Sequence, residues 1–117
     1  MMEGKTVIGL IEEVTILTND DKEKKVIAKV DTGASKSSID INLASDLKLG
    51  PIIKTKLVKS AHGIRIRPVL NITIVLHGKK IKSEFTLADR SHMNYRILLG
   101  QNILKHDFLI DPNLKTR

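Results

Sequence analysis

The run Val30-Asp31-Thr32-Gly33-Ala34-Ser35 occurs once in this 117-residue chain and constrains its fold more than any other stretch. Lys25 to Val30 reads as a strand that delivers a carboxylate at its end. Asp31 supplies an acid/base group, the Thr32 hydroxyl can anchor the loop, and Gly33 admits close approach of another backbone. As a bare tripeptide, Asp-Thr-Gly is also a good turn, with Asp bonding its own backbone and Gly supplying positive φ. The context on both sides decides between the two. Acid–base work by carboxylates needs a pair sharing a proton, one acting as base while the other stays protonated. The chain has one copy of the motif, and its length fits a single domain spanning 1–117. If Asp31 is catalytic, the second carboxylate comes from a second copy. That predicts a symmetric homodimer with Asp31 and its mate on the two-fold axis.

What the rest of the chain can build follows from its apolar residues. Aromatics are scarce (Phe85, Phe108 and Tyr95, with no Trp), so the core rests on Ile, Leu and Val, which favour strands. The expectation is an all-β domain, a small closed β-barrel with one or two short helices. Thr6 to Leu17 reads as strand, broken at Glu12-Glu13, and Thr18 to Asp21 as a turn returning into Lys25 to Val30. Ser38 to Ile41 reads as a short strand. Asn42 is expected to cap a helix running to Leu49, stopped by Gly50-Pro51. Ile52 to Lys59 and Ile64 to Arg67 form a hairpin around Ser60-Ala61-His62-Gly63. Beyond Pro68 the strand continues, with Ile72, Ile74 and Leu76 on one face. His77 to Lys80 is a second hairpin turn leading into Ile81 to Leu87. Ile97-Leu98-Leu99-Gly100 is an apolar strand, followed by a helix from Gln101 to His106 and a last strand from Phe108 to Ile110.

Composition excludes several classes. With no cysteine there is no disulfide framework and no thiolate chemistry, which fits a reducing cytoplasm. No signal-peptide pattern opens the sequence and no apolar run is long enough to span a membrane, so a soluble cytoplasmic location is expected. The net charge of +7 invites nucleic acid. The few aromatics and the absence of a recognisable binding motif argue against it, though a small basic β-barrel binding RNA stays as an alternative.

The order of these elements carries a resemblance. An Asp-Thr-Gly loop, a long mid-chain hairpin, and an apolar-apolar-Gly strand entering a helix resemble the retropepsin-like aspartic proteases over roughly residues 25 to 110. The likeness is strongest to a prokaryotic group of small aspartic peptidases associated with RimK-type ATP-grasp ligases, which add glutamates; this group was long labelled "ATP-dependent zinc proteases". It rests on Lys29-Val30-Asp31-Thr32-Gly33-Ala34, on Arg67-Pro68-Val69, and above all on Asp89-Arg90-Ser91-His92-Met93-Asn94-Tyr95-Arg96-Ile97-Leu98-Leu99-Gly100-Gln101-Asn102. Gln101 departs from the pattern, which usually has Arg there, and Gln lacks the charge and the bidentate fork.

The resemblance implies a retropepsin-like acid protease barrel with a flap hairpin, working as a homodimeric endopeptidase without a cofactor. Asp31 would be the catalytic carboxylate, and Thr32 would lock the two loops across the two-fold axis. Gly33, Ala34 and Ser35 complete the active-site loop, with backbone groups offered to an extended substrate. Ser60, Ala61, His62 and Gly63 would form the flap tip, with Arg65 and Arg67 behind it. Leu98, Leu99 and Gly100 would pass beneath the loop. A metal is not expected, because His62, His77, His92 and His106 are scattered and include no His-x-x-x-His pair; His77, in a turn, is expected to be solvated. Lys36, Lys54, Lys56, Lys59, Arg65 and Arg67 put positive charge around the loop and flap. That charge and the link with a glutamate-adding ligase point to acidic or oligo-glutamate peptides. The alternative reading of that charge is that it only keeps an exposed hairpin soluble. The second alternative for the whole chain is a catalytically silent domain of the same fold that binds an acidic peptide or a partner enzyme.

Overall fold

In a computed structural model that describes residues 4–61 and 63–114, nine strands and two short helices follow the predicted order. The strands are β1 (Thr6–Ile8), β2 (Ile11–Leu17), β3 (Glu23–Val30), β4 (Ser37–Asp40), β5 (Ile52–Ser60), β6 (Gly63–Leu76), β7 (Lys79–Ala88), β8 (Ile97–Leu99) and β9 (Phe108–Ile110). Helix α1 (Ile41–Asp46) follows β4, and α2 (Gln101–Leu104) follows β8. Strands β2, β3, β8, β4, β7 and β6 succeed one another around a barrel, and β6 returns to β2 through Thr15↔Val75 and Leu17↔Thr73. Closure removes the sheet edges. Strand β5 pairs with β6 and with it forms the mid-chain hairpin, closed at Ser60↔Gly63. At the chain's two ends, β1 and β9 pair in parallel, Thr6 opposite Phe108 and Ile8 opposite Ile110.

Alternation along β6 builds one wall of the core. Leu70, Ile72, Ile74 and Leu76 are at most 2% exposed, while Asn71 is exposed and Thr73 and Val75 are half-buried. Phe85 on β7 is fully buried opposite Leu70. Each such side chain contributes about 1.5–3 kcal/mol by leaving water. The turn from β6 to β7 is the two residues His77 and Gly78, both at positive φ (48° and 79°). That geometry matches the twist of an antiparallel pair, which is why Gly sits there.

Five local expectations are corrected. The break in the first strand falls at Gly9-Leu10, not at Glu12-Glu13. Glu12 takes an inward position in register with Val14 and Ile16 and is fully buried. Its carboxylate accepts the Gly9 N–H at 2.7 Å and lies 2.9 Å from His77 Nε2, so His77 is hydrogen-bonded to a buried carboxylate rather than merely solvated. The short strand runs from Ser37 to Asp40, and Asp40, not Asn42, caps α1, accepting from the Leu43 N–H at 3.3 Å. Both helices are shorter than expected, ending at Asp46 and Leu104. Among the described residues, no helix is long and apolar enough to cross a membrane.

Candidate active site

Strand β3 buries Val30 and leaves Asp31 half-buried at its end. The Asp31 N–H donates to Leu99 O at 2.9 Å, prolonging the parallel β3–β8 ladder by one bond. One carboxylate oxygen, Oδ1, accepts the Gly33 N–H at 2.9 Å, and Ala34 N–H returns to Asp31 O at 3.3 Å. The carboxylate is thus oriented by its own loop, while Thr32, Gly33 and Ser35 stay exposed.

Leu98-Leu99-Gly100 passes beneath this loop as expected, and here space is decisive. A Cβ on Gly100 would overlap Lys36 O and lie 2.6 Å from Lys36 C and 2.8 Å from Ala34 O. Helix α2 is tied to the same backbone: Gln101 N–H donates to Ala34 O at 2.8 Å and Asn102 N–H to Ser35 O at 3.3 Å. The Gln101 side chain donates to Thr32 O at 2.7 Å. It therefore ties the helix to the active-site loop through one neutral bond, where an Arg would bring a charged fork.

Two side chains without an expected role complete this crossing. Ser37 Oγ accepts the Gly100 N–H at 2.9 Å and donates to Asn102 Oδ1 at 2.8 Å. Asn102 Nδ2 in turn donates to Ser83 Oγ and Glu84 O, both at 2.8 Å. Asn102 belongs to the long distinctive motif, which was its only signal in the sequence.

Asp40 is the second polar centre. Fully buried, it accepts the Arg90 N–H at 2.9 Å on Oδ1, and Arg96 Nη2 at 2.7 Å and Nε at 3.2 Å on Oδ2. Both ends of the segment 89–96 are therefore fixed to one carboxylate. Burial pushes the Asp40 carboxyl up, but the Arg96 hydrogen bond, the Arg90 and Leu43 N–H groups and the Arg96 charge together hold it below its ordinary 3.8. A depressed folded pKa contributes stability above the unfolded value, lost as pH falls through the folded one. Asp40→Asn should cost about 2 kcal/mol in urea unfolding at neutral pH, because it strands Arg96. The difference from wild type should shrink as pH falls below the ordinary carboxylate value and through the lowered Asp40 one. An equal difference at neutral and acid pH would mean the charge is not what stabilises this corner.

The flap hairpin has two unlike faces. Lys56 pairs with Arg67 and Val58 with Arg65 on one face; Leu57 pairs with Ile66 and Lys59 with Ile64 on the other. Leu57, Ile64 and Ile66 are 65%, 64% and 68% exposed. Even-numbered residues of β6 face the barrel interior. Carried past the rim, that parity puts Ile64 and Ile66 on the interior side and Arg65 and Arg67 on the other. Of the expected tip, Ala61 is exposed, Ser60 pairs with Gly63, and His62 lies outside the described residues. At the flap base, Glu84 gathers Lys54 at 3.0 Å and Lys36 at 3.9 Å. The Lys54 hydrogen bond holds the Glu84 carboxyl below its usual range, against a smaller upward push from burial.

For Arg90, burial lowers the pKa, while the Asp40 charge raises it.

The sequence profile of the family described as "Retropepsin-like aspartic endopeptidase RimB" matches residues 42–116, well over half of the chain. The chain belongs to the RimB-like family. The matched stretch starts beyond Asp31, so the Asp31 loop lies outside it. This RimB-like chain also shares its fold with a Legionella pneumophila protein of unknown function (DUF785), at TM-score 0.66 and 24% identity over 95% of this chain and 96% of that one. The solution structure of simian foamy virus protease superposes at TM-score 0.60 and 24% identity, over 81% of the RimB-like chain and 91% of the viral one. No curated protein matches. The fold is therefore that of the retropepsins, a closed barrel with a flap.

Proposed function

We propose that the chain is an aspartic endopeptidase that acts as a homodimer, each chain contributing Asp31. The observation that carries this reading is the Asp31 loop: a half-buried carboxylate, oriented by the Gly33 N–H and seated on the β8 backbone, present once per closed barrel. Two such carboxylates across a two-fold axis cannot both ionise easily and hold one proton between them. The ionised partner takes a proton from water as the water oxygen bonds to the scissile carbonyl carbon, and the protonated partner donates to the carbonyl oxygen. Collapse of the tetrahedral intermediate breaks the C–N bond while a dyad proton passes to the leaving nitrogen. The peptide lies extended under the flap, whose Leu57, Ile64 and Ile66 close over it and exclude water.

The substrates are acidic peptides, oligo-glutamate tails among them, and the enzyme works in the cytoplasm alongside a glutamate-adding ligase. The net charge of +7 and the cations at the flap base support this by speeding encounter with anionic chains. The test is a peptide pool with neutral and glutamate-rich members, incubated with wild type and Asp31→Asn from acid to neutral pH and read by mass spectrometry. Cleavage by wild type alone, strongest in glutamate-rich peptides, is expected. No cleavage by either protein at concentrations where a dimer is measured would sink the peptidase reading in favour of a silent binding domain.

A further inference from the structure

The long motif from Asp89 to Arg96 has a structural anchor in Asp40 but no part in the chemistry above. It packs against β4, through Asp40 and Ser38. Lys29 stands two residues before Asp31 on β3, pairs across to Ile11 on β2 and Leu98 on β8, and is exposed. Leu98 in turn pairs with Ser38. Arg90 lies over this strip, 8% exposed, with Nη1 donating to Ser38 Oγ at 3.4 Å and Nε to Tyr95 O at 3.0 Å. Between the strip and the loop is a cavity of about 280 Å³, lined by Lys29, Arg90, His92, Met93, Asn94 and Tyr95.

We infer that this cavity is the subsite for the substrate side chain next to the scissile bond, and that Lys29 makes it select a carboxylate. The inference rests on the endopeptidase reading and adds the residue that sets its specificity. Three observations converge on it. The cavity lies on the catalytic side of β3: Lys29, which lines it, stands two residues before Asp31, and strand alternation puts the two on the same face with Val30 buried between them. Its charge is one-sided: it has cationic or basic groups from Lys29, Arg90 and His92, no acidic group lines it, and Lys29 has no ion-pair partner among the described residues. Its wall is also preorganised. Asp40 holds both ends of the loop, Met93 N–H returns to Arg90 O at 3.0 Å, and Asp89 accepts both the N–H and the hydroxyl of Ser91. A fixed wall spares the ordering cost that a mobile loop would charge against binding. Met93 and Tyr95 flank a space suited to the methylenes of a glutamate, with its carboxylate against the Lys29 ammonium.

The experiment compares wild type, Lys29→Gln and Lys29→Glu on three peptides that differ only in Glu, Gln or Lys beside the cut. The readout is the ratio of kcat/KM between peptides. Any effect of Lys29 on the Asp31 dyad falls equally on all three and cancels. Wild type should prefer Glu over Gln, Lys29→Gln should lower that ratio about tenfold, and Lys29→Glu should turn the preference toward Lys. Unchanged ratios in both variants, with wild type active, overturn the subsite and leave the peptidase reading intact. If wild type cleaves nothing, the peptidase reading is the one that fails. The subsite is then judged by titrating the Glu peptide into Asp31→Asn with and without Lys29→Gln. Affinity weakened about tenfold supports it and equal affinity overturns it.

Discussion

Asp31→Asn is expected to lose at least about 10³-fold in peptide hydrolysis while keeping the fold and the dimer. The loss follows from chemistry: an amide cannot take a proton from water near neutral pH, and a mixed or doubly substituted dyad has no shared proton to pass on. Retention of the fold follows from geometry. The oxygen that accepts the Gly33 N–H survives in Asn, and the Asp31 N–H bond to Leu99 O is a backbone bond that the substitution does not touch. Removing one of two facing carboxylates also relieves like-charge repulsion, so the variant dimer should be no weaker than wild type. Thermal unfolding and sedimentation at matched concentrations check this. If two chains share one site, as proposed, wild-type activity per chain should fall on dilution as the dimer dissociates. Activity that stays proportional to protein far below the measured dimer constant, or an Asn variant that still cleaves, would mean that Asp31 is not half of a shared dyad.

What was legible in the sequence was local. The Asp31 loop announces itself because strand, carboxylate and glycine are contiguous, and the His77-Gly78 turn because two strands flank two turn residues. Leu98-Leu99-Gly100 was readable through resemblance, and the structure gives the reason in the backbone crossing above it. What stayed hidden was polar satisfaction at long range. Glu12 looked like a strand breaker because its partner His77 lies 65 residues away, and only the closed barrel brings them to 2.9 Å. Asp40, inside the strand read over Ser38 to Ile41, drew no role because Arg96 is 56 residues off. Ser37 bonds to the Gly100 N–H across 63 residues. A buried carboxylate or hydroxyl must find a partner, but the sequence does not name it. The flap shows the same limit. Its charges were legible, whereas which β5 residues join Ile64 and Ile66 on one face needs the register of β5 against β6.

Gly100→Ala should be the most damaging single-methyl change in the protein, costing about 4 kcal/mol or more and leaving little folded chain at 37 °C. The cause is space and not backbone freedom: Gly100 sits at φ −97° and ψ −171°, an extended conformation open to any residue. The added Cβ would overlap Lys36 O and stand 2.6 Å from Lys36 C and 2.8 Å from Ala34 O. All three are backbone atoms on both sides of Ser35, so no side chain can swing away to relieve the contact. Relief needs the loop from Asp31 to Lys36 to lift off β8. That would stretch the Gln101 N–H bond to Ala34 O, the Gly100 N–H bond to Ser37 Oγ and the Gln101 side-chain bond to Thr32 O. Of these the Gly100 N–H bond to Ser37 Oγ is buried, and its loss alone costs about 1–3 kcal/mol, so the chain pays either in overlap or in an unsatisfied polar group. By contrast, Gly78→Ala meets open space in a surface turn at φ 79° and should cost only about 1 kcal/mol. Urea unfolding of the two variants separates the causes. If Gly100→Ala proves no worse than Gly78→Ala, the β8 strand does not press against the catalytic loop as closely as described. A Gly100→Ala protein that folds but no longer cleaves would instead show that the loop had lifted and taken Asp31 out of position.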